Sequence, residues 1–358
     1  MSDRTSLGNF LKFNNGQSSP VRVEDGKYKV FGSNGIIGHA DSFNTAGPCI
    51  IIGRVGSYCG SVHFSDNDCW VTDNAISTQV LGEDPAIFWY EFLRNCNLRS
   101  LAHGSGQPLI TQRVLKEIQA PHFSAKEKIA IGEFLSALEQ KIACNNQSLS
   151  IANSFLRNWY STLSLSPDTT LSDTCALINK SVQPSKFNSS AMYIALEHFD
   201  STSMWIARHA ELESANSTKS EFKEGDTLFG KLRPYFHKVG IAPQDGICST
   251  DILVLRPNKP EWKGLVLAAA NSDAVVDTAV QNSNGTRMPR AKWTDIADCP
   301  VPDPEASETT QFMELTDSLV PKCNQLIKEN EALAKTRDEL LPLLMNGTIT
   351  VGDVAAEA

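Results

Sequence analysis

The chain has 358 residues, 41% of them hydrophobic and 20% charged, and a formal net charge of −9. That length favours two domains, each able to bury its own core, and the composition is that of an ordinary globular protein. No apolar run reaches membrane-spanning length and the opening MSDRTSLGNF lacks the charged-then-apolar layout of a signal peptide, so a cytoplasmic protein with no membrane partner is expected. Nine cysteines, odd in number and without a CxxC pair, argue against a disulfide framework and a zinc site. Cys49, Cys59 and Cys69 read as small buried side chains. The charge is uneven: residues 305–358 carry 4 basic and 10 acidic groups, six of the nine excess negatives. Residues 1–125 carry 10 and 11, residues 126–165 carry 4 and 3, and residues 166–304 carry 14 and 17. The globular parts are therefore close to neutral, and a local basic patch can dominate one surface.

In chain order, the first signals are strand-like runs broken by glycine turns, YKVFGSNGIIG from Tyr28 and PCIIIGRVGSYCG from Pro48. A helix is expected from Pro85 to about Leu101, with Asp84 as N-cap. Next comes GSGQPLITQRVLKEIQAP, Gly104 to Pro121. Ser124 and Glu127 then form a capping box that opens a heptad helix. Its seam is Ile131, Leu135, Leu138, Ile142, Asn145, Leu149, Ala152, Leu156, Trp159 and Leu163. Steps of four and three sustained over four heptads are a coiled-coil pattern.

The same order then recurs. Strand-like GDTLFGKL and GICSTDILVL are followed by a helix from Pro260 to about Gln281. GTRMPRAKWTDIADCPVP, Gly285 to Pro302, aligns with the Gly104–Pro121 segment and shares its glycine and both prolines. A second seam follows: Phe312, Thr316, Leu319, Cys323, Leu326, Asn330, Leu333, Arg337, Leu340 and Leu344. Pro321 should kink or delay this helix. With Ile142 at heptad position a, Asn145 falls at d, whereas Asn330 falls at a. An antiparallel pair layers a against d, so Asn145 is expected opposite Asn330, fixing register. The alternative is two exposed asparagines on separately packed helices. The fold class expected is α+β: two repeated α+β domains joined by two long helices in an antiparallel coiled coil with a pseudo-twofold.

GDTLFGKL fits GxxxxGK, but Leu232 replaces the magnesium-binding hydroxyl and Pro234 disfavours the receiving helix. A strand and turn projecting Lys231 and Arg233 is the better reading. No adenine-methyltransferase, dinucleotide or zinc-protease motif occurs, so the list of catalytic, cofactor and metal residues is empty.

The whole chain resembles the specificity subunit of Type I restriction–modification systems (HsdS). The resemblance is carried by LGNFLKFNNGQSSP from Leu7, IIGRVGSYCG from Ile51, GDTLFGKLRPY from Gly225, GICSTDILVLRP, NSNGTRMPR and ENEALAKTRDELLPLLMNGTITV, in this order with two heptad helices. It implies target recognition domains at 1–123 and 166–304, heptad helices at 124–165 and 305–346, and a tail at 347–358. In that family each recognition domain reads one half of a bipartite site in double-stranded DNA. The coiled coil is the ruler between the halves. Two methylation subunits bring S-adenosylmethionine and methylate adenine, and restriction subunits add ATP- and magnesium-dependent translocation and cleavage. This chain would be non-catalytic and would hold none of those cofactors. Its second recognition domain is about 17 residues longer than the first, so the site should be asymmetric. About 33 residues at roughly 1.5 Å each make a rod of about 50 Å, the rise of about 15 base pairs at roughly 3.4 Å.

The candidate DNA-reading residues of the second domain are Lys231, Arg233, Tyr235, His237 and Lys238, with Arg287, Arg290 and Lys292. Arginine bonds guanine bidentately, and lysine neutralises phosphate. In the first domain they are Asn34, Arg54, Ser57, Tyr58, Gln107, Gln112 and Arg113, where Asn and Gln can bond adenine. For each, a solvated surface side chain is the competing reading. For the whole chain, the competitors are a DNA-binding scaffold of a related defence system and a coiled-coil adaptor that binds protein.

Overall fold

The structure, a computed structural model, describes residues 4–104, 106–184, 192–211, 217–283 and 288–357. It divides into two compact units, residues 1–142 with 332–358, and residues 143–331. This differs from the partition expected from sequence, which set the helices apart from the globular domains. Each unit instead takes part of both long helices into its own core.

The first unit comprises β1 (Arg4–Ser6), β2 (Leu11–Asn15), β3 (Tyr28–Gly32), β4 (Gly35–Ala40), β5 (Cys49–Gly53), β6 (Val62–Ser65), β7 (Cys69–Val71) and β8 (Ala75–Val80). These are followed by α1 (Ala86–Asn95), α2 (Gln112–Glu117), β9 (Gln119–Pro121) and α3 (Ala125–Thr162), which continues into the second unit. One antiparallel sheet has the order β2-β8-β5-β6, a second has β4-β3-β7 with β3 and β7 parallel, and β1 pairs with β9. Every residue of β5 is buried because both its faces are covered. Ile50 and Ile52 meet Phe88, Trp89 and Phe92 of α1, while Cys49 and Ile51 meet Phe31, Cys69 and Val71. That is the strand's two-residue alternation acting on an uninterrupted apolar run, and each isoleucine contributes about 1.5–3 kcal/mol. Cys49, Cys59 and Cys69 are all buried, as their strand context suggested.

The second unit comprises β10 (Leu165–Thr170), α4 (Leu171–Thr174), β11 (Cys175–Leu177), β12 (Ser181–Val182), β13 (Met192–Ile194), β14 (Lys219–Phe222), β15 (Thr227–Gly230), β16 (Val239–Ile241), β17 (Gly246–Cys248) and β18 (Ile252–Pro257). Then come α5 (Lys263–Ala270), α6 (Asp273–Asn282), α7 (Trp293–Ile296), β19 (Pro300–Pro302) and α8 (Ser307–Met345), with α9 (Val351–Glu357) back in the first unit. Its β11-β18-β15-β16 sheet repeats β2-β8-β5-β6 strand for strand, and the parallel pair β13–β17 repeats β3–β7. The plans diverge at opposite edges: β14 and β12 extend the sheet beyond β17, whereas the first unit adds β4 on the other side, beside β3.

Local signals explain most element ends. The capping box opening α3 forms as expected, with Ser124 N–H donating to Glu127 Oε2 at 2.7 Å and Glu127 N–H to Ser124 Oγ at 3.3 Å. Asp84, expected as a cap, does other work. Pro85 takes the N-cap position of α1, and the Asp84 carboxylate accepts from Trp89 Nε1 (3.1 Å) and pairs with Lys128 Nζ (2.7 Å). The helix expected from Pro260 to Gln281 is two helices, because Asn271 ends α5 and Ser272 caps α6 through Val275 N–H at 3.3 Å. Pro321 neither delays nor ends α8, which begins 14 residues earlier and continues beyond it; the proline ring lies on the exposed face.

No residue of either heptad seam is exposed. In the second unit Trp159 and Tyr160 of α3 meet Phe312 near the start of α8, and Asn145 meets Asn330 further along. In the first unit Ile131 and Leu135 share a core with Leu341 and Leu344. The helices are therefore antiparallel within each unit. Asn145 Nδ2 donates to Asn330 Oδ1 (2.9 Å) and to Glu329 Oε2 (2.8 Å), and Asn330 Nδ2 donates to Asn146 Oδ1 (2.9 Å). The seam's arginine is also answered, since Arg337 Nη1 lies 2.7 Å from Glu139 Oε1. Arg94 reaches the same oxygen at 2.9 Å and the buried Glu91 at 3.1 Å. Burial pushes the Glu139 carboxyl up, but the bonds from Arg94 and Arg337 outweigh it and hold it low.

Candidate nucleic-acid interface

In the first unit β5 leaves the sheet at Gly53 into a short loop whose backbone is fixed at every step. Arg54 N–H donates to Asn74 O (2.9 Å), Gly56 N–H to Pro108 O (3.1 Å), Ile110 N–H to Arg54 O (3.0 Å) and Gly53 N–H to Ser61 O (2.8 Å). The loop from Arg54 to Tyr58 is thereby held beside Pro108–Ile110. The second unit repeats the arrangement after Gly230. Lys231 N–H donates to Asp251 O (2.9 Å), Arg233 N–H to Pro289 O (2.8 Å), Ala291 N–H to Lys231 O (2.9 Å) and Gly230 N–H to Lys238 O (2.8 Å). Position for position, Arg54 answers to Lys231, Gly56 to Arg233, Tyr58 to Tyr235, Gly60 to His237 and Ser61 to Lys238.

The loop backbone is left-handed at the second and fourth of these pairs in both copies. Gly56 has φ 77° and Gly60 φ 89°; Arg233 has φ 52° and His237 φ 50°. Glycine tolerates this region freely, while a residue with a Cβ loses about 1 kcal/mol or more there. The second unit's loop bears that cost twice. The tips are alike in their aromatic display, with Tyr58 52% and Tyr235 51% exposed.

The structure sorts the sequence candidates. In the second unit it brings together Lys231, Arg233, Tyr235 and Arg290, with Lys292 exposed two residues further on. Arg290 is tied to Asp251 through Nε at 3.0 Å. His237 and Lys238, expected on this surface, turn inward. His237 is buried, with Nε2 2.9 Å from Asn271 O and 3.3 Å from Arg157 Nη1. Burial pushes its imidazole below the ordinary value, and the Asn271 carbonyl only partly opposes this. Lys238 Nζ donates to Leu196 O at 2.6 Å, and its counterpart Ser61 donates through Oγ to Ser33 O, so both are loop ties. Arg287 lies outside the described residues.

In the first unit Ser57, Tyr58 and Gln107 are exposed around the loop, and the Ser61 tie brings the β3–β4 turn with exposed Asn34 beside them. Arg54 is half-buried and reaches Asp73 O at 3.3 Å. Gln112 is engaged elsewhere. Its amide lies 2.9 Å from Phe13 O and 3.0 Å from Asn15 N, in the orientation that satisfies both. Arg113 is exposed on α2 and pairs with Glu117 at 3.8 Å. Sequence reasoning passed over Phe236, 46% exposed with its ring 4.7 Å from that of Tyr235, and Met288, 49% exposed beside Pro289. Large apolar side chains at a glycine-like turn were the available signal.

The family profile of the Type I restriction modification DNA specificity domain matches residues 4–152. The matched stretch is less than half of the chain, and over it the chain resembles that specificity domain. It is 28% identical over 127 residues to the Type I restriction enzyme EcoDI specificity subunit of Escherichia coli, a stretch covering 35% of this chain and 28% of that protein. The chain thus matches little more than a quarter of the length of this curated relative. The fold extends the likeness. The crystal structure of the Type I restriction–modification S subunit from M. genitalium aligns over 96% of both chains with a TM-score of 0.67 at 17% identity. The HsdS subunit from Thermoanaerobacter tengcongensis aligns at 13% identity with a TM-score of 0.30 over 95% of this chain and 97% of that one. No described helix of the chain is long and apolar enough to cross a membrane.

Proposed function

We propose that this chain reads DNA sequence at two places, one through each unit, and delivers partner enzymes to the site so defined. The observation that carries this reading is the loop cluster built once in each unit on an equivalent sheet, each copy presenting an exposed tyrosine beside a basic or polar rim. A loop locked by backbone hydrogen bonds is a rigid platform for side chains entering a groove. Because the rims differ, with Lys231, Arg233 and Lys292 in one and Asn34, Ser57 and Gln107 in the other, the two half-sites should differ. Arginine suits guanine, and Asn and Gln suit adenine.

The unread spacer between the half-sites would be set by the long helices, of which α3 alone has 38 residues, about 57 Å at roughly 1.5 Å each. In this reading the chain is non-catalytic. Two methylation subunits would methylate adenine from S-adenosylmethionine, and restriction subunits would use ATP and magnesium. The test is a genome-wide map of methylated adenines in cells with this gene and its neighbouring methylation gene, against a deletion of this gene alone. The expected result is a bipartite, asymmetric motif that vanishes with the deletion. Methylation that persists unchanged would overturn the reading.

A further inference from the structure

Among the described residues of the second unit, Arg157, Arg208, Arg256 and Arg290 all engage a carboxylate, with Asp273, Asp200, Asp226 and Asp251 respectively. The Arg233 guanidinium has no hydrogen bond or ion pair to any described residue. It is exposed, and it stands where the backbone is left-handed and its counterpart in the first unit is glycine. The neighbouring left-handed residue, His237, recovers its strain by burying its ring against Asn271. Arg233 has no such compensation among the described residues. A strained arginine with no partner among the described residues, held at the tip of a rigid loop, is arranged for a contact outside the molecule. Tyr235 and Phe236 beside it supply aromatic surface on the same tip.

We propose that Arg233 is the specificity-determining residue of the second unit, bonding a guanine edge in the major groove with two parallel N–H donors. This rests on the DNA-reading function above and adds the base class and the residue. The first unit has no such contact at the corresponding place. Gly56 leaves it open, with nothing within 4 Å of a Cβ built there.

The test uses the full chain as wild type, Arg233→Gly and Arg233→Lys, each used to select from a pool of duplexes with a randomised interior. The selected pools are sequenced, and thermal melting is recorded for every variant. Wild type should enrich a motif with two blocks. Arg233→Gly should lose about tenfold of the preference for guanine at one position of one block, leave the other block intact, and melt at the same temperature or higher. Arg233→Lys should retain overall DNA retention while losing the same preference, because lysine keeps the charge without the planar fork. Two results would overturn the proposal: an unchanged motif in Arg233→Gly, or equal weakening for all sequences with a shallower salt dependence, the signature of a phosphate contact. A wild-type pool with no enriched motif would overturn the DNA-reading function itself, and the proposal with it.

Discussion

Asn145 is 2% exposed, yet its amide is fully used across the helix pair. Replacing it with alanine removes a neutral hydrogen bond to Asn330 (2.9 Å) and a charge-assisted one to Glu329 (2.8 Å). At about 1 kcal/mol for the first and roughly 1.5–3 kcal/mol for the second, the loss should be about 2.5–4 kcal/mol. Two indoles report on this region. Trp159 stands edge-on to Phe312, and Trp205 Nε1 donates to Leu149 O at 2.9 Å. In urea, with a slope of about 2–3 kcal/mol/M, the fluorescence midpoint of Asn145→Ala should fall by about 1 M. Asn330→Ala should destabilise as well, and the double variant should show about 1 kcal/mol or more of coupling. A midpoint shift below about 0.3 M, or strictly additive single effects, would refute the claim that these amides act as a unit.

Lys128 is tied to Asp84 at 2.7 Å and lies 4.8 Å from the Phe10 ring centroid, so Lys128→Met should cost about 3 kcal/mol by stranding a carboxylate; Asp84→Asn in the same chain should recover most of it in urea melts. Gly56→Arg should destabilise by about 1 kcal/mol and Arg233→Gly should stabilise by a similar amount, since each exchanges glycine and side chain at a left-handed position. Opposite shifts in thermal midpoint of about 2–4 °C would register this. The His237 imidazole titrates below its ordinary 6.5 in the folded chain because of burial. The folded state therefore binds fewer protons there than the unfolded one. The stability gained is fully present above about pH 6.5 and lost as pH falls through the lower folded value. His237→Gln should flatten the dependence of the urea midpoint on pH below about 6.5.

The helices were legible because a 3-4 repeat of apolar residues has one strong physical solution, and the two asparagines interrupted it at informative positions. The break at Asn271 was harder to see, since α5 and α6 are both apolar and Ser272 is an unremarkable residue until it caps a turn. The loop clusters were half legible. Gly53 with Tyr58 and Gly230 with Tyr235 keep the same spacing, but the residues between share almost nothing. What the two loops have in common is a backbone path, and glycine in one copy against arginine and histidine in the other conceals it. The same path turns His237 and Lys238 inward, so a basic run in sequence became one exposed arginine and two internal ties. No composition argument separates those outcomes; the sign of φ at two residues does.

In sequence, the first unit takes its core from before and after the second, since Leu341, Leu344 and Met345 pack with Ile131 and Leu135 while residues 143–331 form a unit of their own. On a ribosome, which releases the chain from its N-terminus onward, residues 1–142 emerge first but must wait for 332–345 before their core closes. The intervening unit is continuous and can finish before them. The order in which the two cores can close is thus the reverse of the order in which their first residues emerge. A chain broken off within α8 leaves its earlier-made half unsealed, with the apolar face of α3 open to proteases and chaperones. The discontinuous core therefore makes completion of α8 a condition for closing the first unit.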